Sequence, residues 1–116
     1  MSAFAYYKSI GYQQVSPKQQ EIITAGSKIN IWSPTTSMRI AVTNLVVSSG
    51  PGGTIQLWFG GNNQIKLVEL YLGASTSFGP VISNWESTAT DAPLFGVVSS
   101  AISGGWRITA EGFELE

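Results

Sequence analysis

Between Ser37 and Phe59 the chain alternates apolar and polar positions with a period of two, the signature of a strand with one buried face. Met38, Ile40 and Val42 alternate with Arg39, Ala41 and Thr43. After Asn44 the apolar phase slips by one, to Leu45 and Val47, which predicts a β-bulge near Thr43–Asn44. Ser48-Ser-Gly-Pro-Gly-Gly53 is a dense turn signal. The chain then continues as Thr54-Ile-Gln-Leu-Trp-Phe59, with Ile55, Leu57 and Phe59 on one face. Two such runs around a Gly/Pro turn read as an antiparallel hairpin, expected to be the central ribbon of a small sandwich.

The same alternation recurs in shorter pieces. Glu21–Ala25 is a short strand ended by Gly26-Ser27. In Lys28–Trp32, Ile29 and Ile31 alternate with Lys28, Asn30 and Trp32, which places Trp32 away from the core. Gly60-Gly-Asn-Asn63 has the residues of a tight β-connection. Gln64–Leu72 carries some helical spacing at Leu67, Leu70 and Tyr71, but nine residues between hairpin-type flanks favour a strand. Gly73–Asp91 is polar and turn-rich, with Val81 and Ile82 in a short strand and Trp85 buried beside it. Pro93–Val98 and Trp106–Leu115 are the last strands. A further phase slip at Glu111-Gly112 predicts a glycine bulge that turns Phe113 and Leu115 inward. Roughly eight or nine short strands with no substantial helix predict an all-β antiparallel β-sandwich or jelly roll.

Residues 1–20 break this pattern. Phe4, Tyr6, Tyr7 and Tyr12 stand among Gln13, Gln14, Gln19 and Gln20, with Gly11 and Pro17 as punctuation. The segment reads as an edge strand or as an N-terminal arm whose aromatics contact a partner. Residues 21–116 then form a single β-sandwich domain, a size at which a core holds without staples.

Composition narrows the function. Cys and His are both absent, which removes disulfides, the commonest metal ligands and the commonest general base. Charged residues make up 11% of the chain and net charge is −1, against about 25% charged in ordinary soluble domains. Such a surface favours association, with self-assembly into a homo-oligomer expected. The six cations are scattered, so no phosphate-tracking stripe forms and nucleic acid is not an expected partner. No apolar run approaches the roughly 18 residues of a membrane span. Residues 1–20 show no basic segment leading into an apolar one, so no signal peptide is expected.

No residue set announces a reaction. Ser lacks a His to activate it, and nothing in the spacing pairs a Ser with Lys28 or Lys66. Glu69, Glu86, Asp91 and Glu111 each stand alone in a turn or an alternating strand, where a solvated face is the ordinary reading. No calcium loop occurs, and Gly52-Gly53 and Gly60-Gly61 precede no helix. The expectation is a protein without enzymatic activity, cofactor or metal. Trp32 and Trp58 are the ligand-like signal. On the face opposite the core positions they would meet either a neighbouring protein or a sugar ring.

From Gly26 to Leu115, about three quarters of the chain, the order of features resembles a group of small all-β proteins from tailed-phage and viral structural gene neighbourhoods. The resemblance is carried by Gly26-Ser-Lys-Ile-Asn-Ile, by Arg39-Ile-Ala-Val-Thr-Asn-Leu-Val-Val-Ser-Ser and by Thr54-Ile-Gln-Leu. Leu70-Tyr-Leu-Gly, Gly79-Pro-Val-Ile-Ser-Asn-Trp and Arg107-Ile-Thr-Ala-Glu-Gly-Phe complete it. It implies a virion protein made in the host cytoplasm: a capsid decoration or cement protein, often trimeric, bound to the major capsid protein at capsomer junctions. A carbohydrate-binding module and a receptor-binding tail or fibre tip are the alternatives.

Overall fold

The computed structural model describes residues 13–60, 64–99 and 105–115. Eight strands run through them: β1 (Gln13–Ile22), β2 (Ile29–Trp32), β3 (Arg39–Ser49), β4 (Gly53–Phe59), β5 (Ile65–Leu72), β6 (Thr76–Glu86), β7 (Leu94–Val98) and β8 (Trp106–Leu115). They form two four-stranded sheets, ordered β1-β8-β3-β6 and β2-β7-β4-β5, with every pairing antiparallel. The fold is the expected all-β sandwich. Its pairings nest: β1 with β8, β2 with β7, β3 with β6, β4 with β5. That is the order a long hairpin produces when it is rolled into two layers.

This topology corrects the central hairpin. β3 and β4 do not pair. β3 lies between β8 and β6, and β4 lies between β7 and β5 in the other sheet. Each is a middle strand of its layer, so its hydrogen-bond partners come from distant parts of the chain. The Ser48–Gly53 turn is a corner between sheets. Gly52 has φ +81°, and a Cβ there would come within 2.8 Å of the Ala74 backbone nitrogen, so only glycine lets the corner pass this close to the β5–β6 turn.

The two inner faces share one core. Ile22, Ile40, Val42, Leu45, Val47, Trp106 and Ile108 of the first sheet meet Ile31, Trp32, Ile55, Leu57, Phe59 and Leu94 of the second. Each of these contributes about 1.5–3 kcal/mol by leaving water. The bulge expected in β3 is present: Thr43 is unpaired between Val42 opposite Gly112 and Asn44 opposite Glu111. Trp85 packs against the core partly buried, and Trp106 is fully buried.

β8 itself does not slip phase. Trp106, Ile108 and Ala110 face the core, and the same alternation sends Phe113 and Leu115 to the opposite face of the sheet. There they are buried with Ala41 in a second, separate cluster. The irregularities expected at Glu111-Gly112 belong to the neighbours, Thr43 in β3 and Ser16-Pro17 in β1.

Two further boundaries differ from expectation. The strand expected over Glu21–Ala25 is instead the end of the longer edge strand β1, which begins at Gln13 and stops at Ile22. Gly73–Asp91 contains the long strand β6, with irregular register at Gly79-Pro80 and Ser83-Asn84. Both edges of the first sheet therefore carry a proline at a bulge, where no ladder N–H is owed and edge-to-edge pairing is discouraged.

Candidate functional site

Trp32 is not on an outer face. β2 pairs Asn30 with Phe95 and Trp32 with Leu94, leaving Ile31 as an unpaired bulge residue. The bulge puts Trp32 on the core side with Leu94, 1% exposed. A buried indole N–H needs an acceptor. Glu114, inward-facing at the end of β8, supplies it: Trp32 Nε1 donates to Glu114 Oε2 at 3.1 Å, and the Thr35 backbone N–H donates to the same oxygen at 3.2 Å. Burial pushes the Glu114 carboxyl up. The hydrogen bonds from Thr35 and Trp32 and the charge of Lys18 outweigh it, so the pKa lies below its ordinary 4.5. A cavity of about 380 Å³ opens beside this carboxylate, lined by Gln14, Val15, Ser16, Thr35 and Met38.

Trp58 does lie on the outer face of its sheet. Ile55, Leu57 and Phe59 face the core, so the alternation of β4 turns Gln56 and Trp58 outward. In register, Trp58 stands opposite Phe95 on one side and Lys66 on the other, and Phe95 stands opposite Asn30. One row, Asn30–Phe95–Trp58–Lys66, thus crosses all four strands. The Trp58 and Phe95 rings are parallel within 3°, with centroids 6.2 Å apart. Lys28 Nζ sits 5.3 Å from the Phe95 centroid and Lys66 Nζ 5.9 Å from that of Trp58, distances at which an ammonium is attracted to the ring face.

A polar relay fixes the indole. Trp58 Nε1 donates to Gln56 Oε1 at 3.2 Å, and Gln56 Nε2 donates to Glu69 Oε1 at 2.6 Å. Phe95 is nearly fully buried in this layer, Trp58 is half-buried, and Tyr71 projects at 84% exposure from β5. The result is an aromatic centre with a rim of Lys28, Lys66, Glu69 and Tyr71. Sequence reasoning singled out Trp58 and missed Phe95. The signal was there: Leu94 and Val98 alternate with Phe95 and Val97, so if the first pair is core the second faces outward.

Two outward tryptophans are therefore not available together, and Phe4, Tyr6, Tyr7 and Tyr12 lie outside the described residues. The isolated carboxylates have local duties. Glu69 holds Gln56, Glu86 pairs with Arg39 at 2.8 Å, and Asp91 Oδ1 accepts from the Ser37 backbone N–H at 2.7 Å. Among the described residues no three acidic ligands converge on a metal position. What the Trp58 face offers chemically is contact: a preorganised apolar centre and charged edges. Compared with protein-family models, with curated proteins and with solved structures, the chain gives no match.

Proposed function

We propose that this chain is a non-enzymatic structural protein of a virus-like particle. It decorates the shell and bridges neighbouring capsomers, acting as a homo-oligomer, with a trimer the expected form. The observation that carries the reading is the Asn30–Phe95–Trp58–Lys66 row. It is a rigid patch with an aromatic centre and a charged rim, the anatomy of a protein-docking surface. The nested strand pairing is compatible with a jelly roll, an architecture used by capsid domains, and this lends the reading support by analogy of fold. The low charge of the chain is in keeping with extensive burial by other chains.

Each protomer need bury only a standard interface of roughly 1,200–2,000 Å², because several linked sites on one shell multiply affinity by avidity. The burial of Trp32 removes half of the tryptophan platform on which a sugar-stacking module would rest.

Light scattering of the purified protein, followed by gradient sedimentation with shells from the source particle, tests the proposal. An oligomer that co-sediments, and a Trp58→Ala variant that keeps its fold but stays at the top of the gradient, is the expected result. A monomer that never enters the shell fraction overturns it.

A further inference from the structure

At the end of the sandwich remote from Glu114, on the outer face of the β1-β8-β3-β6 sheet, a second cross-strand row is entirely polar. Glu21 stands opposite Arg107, Arg107 opposite Ser48, and Ser48 opposite Ser77. Paired residues share a face, and the core-facing neighbours Ile22, Trp106 and Val47 fix that face as the outer one. The row forms the floor of a cleft of about 330 Å³.

The walls are formed at Gly50, Ser75 and Gly105, whose backbones are tied to one another. Gly50 N donates to the Gly105 carbonyl at 2.9 Å, and Ser75 N donates to the Gly50 carbonyl at 3.0 Å. Ser49 Oγ accepts from Gly52 N at 2.8 Å, and Thr76 Oγ1 donates to the Gly73 carbonyl at 2.6 Å, so these two hydroxyls serve the walls. Ser75 is held at φ 55°, a left-handed conformation that a serine adopts only where its surroundings impose it.

The remaining polar groups are unspent. The side-chain hydroxyls of Ser48, Ser75 and Ser77 make no hydrogen bond to another described residue. Arg107 Nη2 and Glu21 Oε2 are 3.8 Å apart, too far for a hydrogen bond. They form a long, more than half exposed ion pair, so their remaining valences face solvent while their charges largely cancel.

We infer that this cleft binds a neutral saccharide, with Arg107 donating to and Glu21 accepting from adjacent sugar hydroxyls. A ligand hydroxyl both donates and accepts, which is what a carboxylate, a guanidinium and three serine hydroxyls require together. An inorganic anion would meet the Glu21 carboxylate beside its only cation in the row, and an apolar ligand would leave the row unsatisfied. This inference uses none of the Trp58 face and stands apart from the shell-docking proposal.

The test is a titration of the ¹⁵N-labelled full chain, followed by NMR, with methyl glycosides of glucose, galactose, mannose and N-acetylglucosamine, and with sodium sulfate as the anion probe. At least one glycoside should move the Arg107 Nε–H and the Ser48, Ser75 and Ser77 amides saturably. Arg107→Ala should weaken that glycoside by about tenfold or more, the loss of a charge-assisted hydrogen bond. Glu21→Gln should weaken the glycoside and strengthen sulfate. Both side chains are more than half exposed, so neither variant threatens the fold. The inference is overturned if no glycoside gives saturable shifts, if sulfate binds the wild-type cleft more tightly than every glycoside, or if both variants bind the glycoside unchanged.

Discussion

Trp32 and Glu114, 82 positions apart, meet at 3.1 Å through an indole N–H and a carboxylate oxygen. The contact joins β2 of one sheet to β8 of the other and satisfies the one polar group of a tryptophan that is otherwise core. Replacing Glu114 by Ala leaves that N–H without its acceptor. The expected loss is about 1–3 kcal/mol in urea unfolding, whereas Glu114→Gln, which keeps an acceptor oxygen, should lose less.

The same carboxylate makes stability depend on pH. Its folded pKa lies below the ordinary 4.5, so the folded state favours the charged form. That contribution is fully present above the unfolded value and is lost as pH falls through the lower folded one. The stability difference between wild type and Glu114→Gln should therefore be constant from neutral pH down to about 4.5 and shrink below it. Urea midpoints measured across that range check this. A difference that grows on acidification would contradict the assignment.

At Gly112, β8 lies tight against the backbone of β3. A Cβ there would overlap the Ala41 carbonyl oxygen and lie 2.9 Å from its carbon, both backbone atoms with no freedom to move aside. Gly112→Ala should cost about 4 kcal/mol or more, or abolish folding. At Gly73 a Cβ meets only the Thr76 methyl at 3.7 Å, so Gly73→Ala should be tolerated. Equal effects in thermal unfolding would argue against the observed β3–β8 register.

The two outward-predicted tryptophans should now behave differently. Trp32→Ala opens a core cavity, at an expected cost of about 3–5 kcal/mol. Trp58→Ala removes a half-buried ring and its Phe95 contact, for about 1–2 kcal/mol. Near-ultraviolet circular dichroism and unfolding of both variants separate core from face.

Asp91 and Ser37 hold two loops together, both at positive φ (60° and 68°). Asp91 Oδ1 accepts from Ser37 N, and Asp91 N donates to the Met38 carbonyl at 2.9 Å. Asp91→Asn retains the acceptor and tolerates the left-handed backbone, so its change should stay within about 0.5 kcal/mol. Asp91→Ala loses the acceptor and strains the backbone, for about 1–2 kcal/mol. Calorimetric melting of the two variants provides the comparison.

What the sequence alone determined about this protein is local. The period-two alternation of Ile55, Leu57 and Phe59 and the phase slip at Thr43 are properties of a few successive residues, and both appear in the structure as read. So does the strand at Ile65–Leu72, because β-type flanks and short length outweigh a brief helical spacing. Which strand pairs with which was decided only by the tertiary structure. Every backbone offers the same N–H and C=O, so partner choice depends on how two whole faces pack. β3 and β4 part at their turn because each fills the middle of a different layer. The same joint packing put a bulge at Ile31, which carried Trp32 into the core. It also kept β8 in regular alternation, which sent Phe113 and Leu115 to the other side. Phe95 beneath Trp58 and the Glu21–Arg107–Ser48–Ser77 row exist only because distant segments stand in register. A one-residue slip in any of those pairings would have dispersed them.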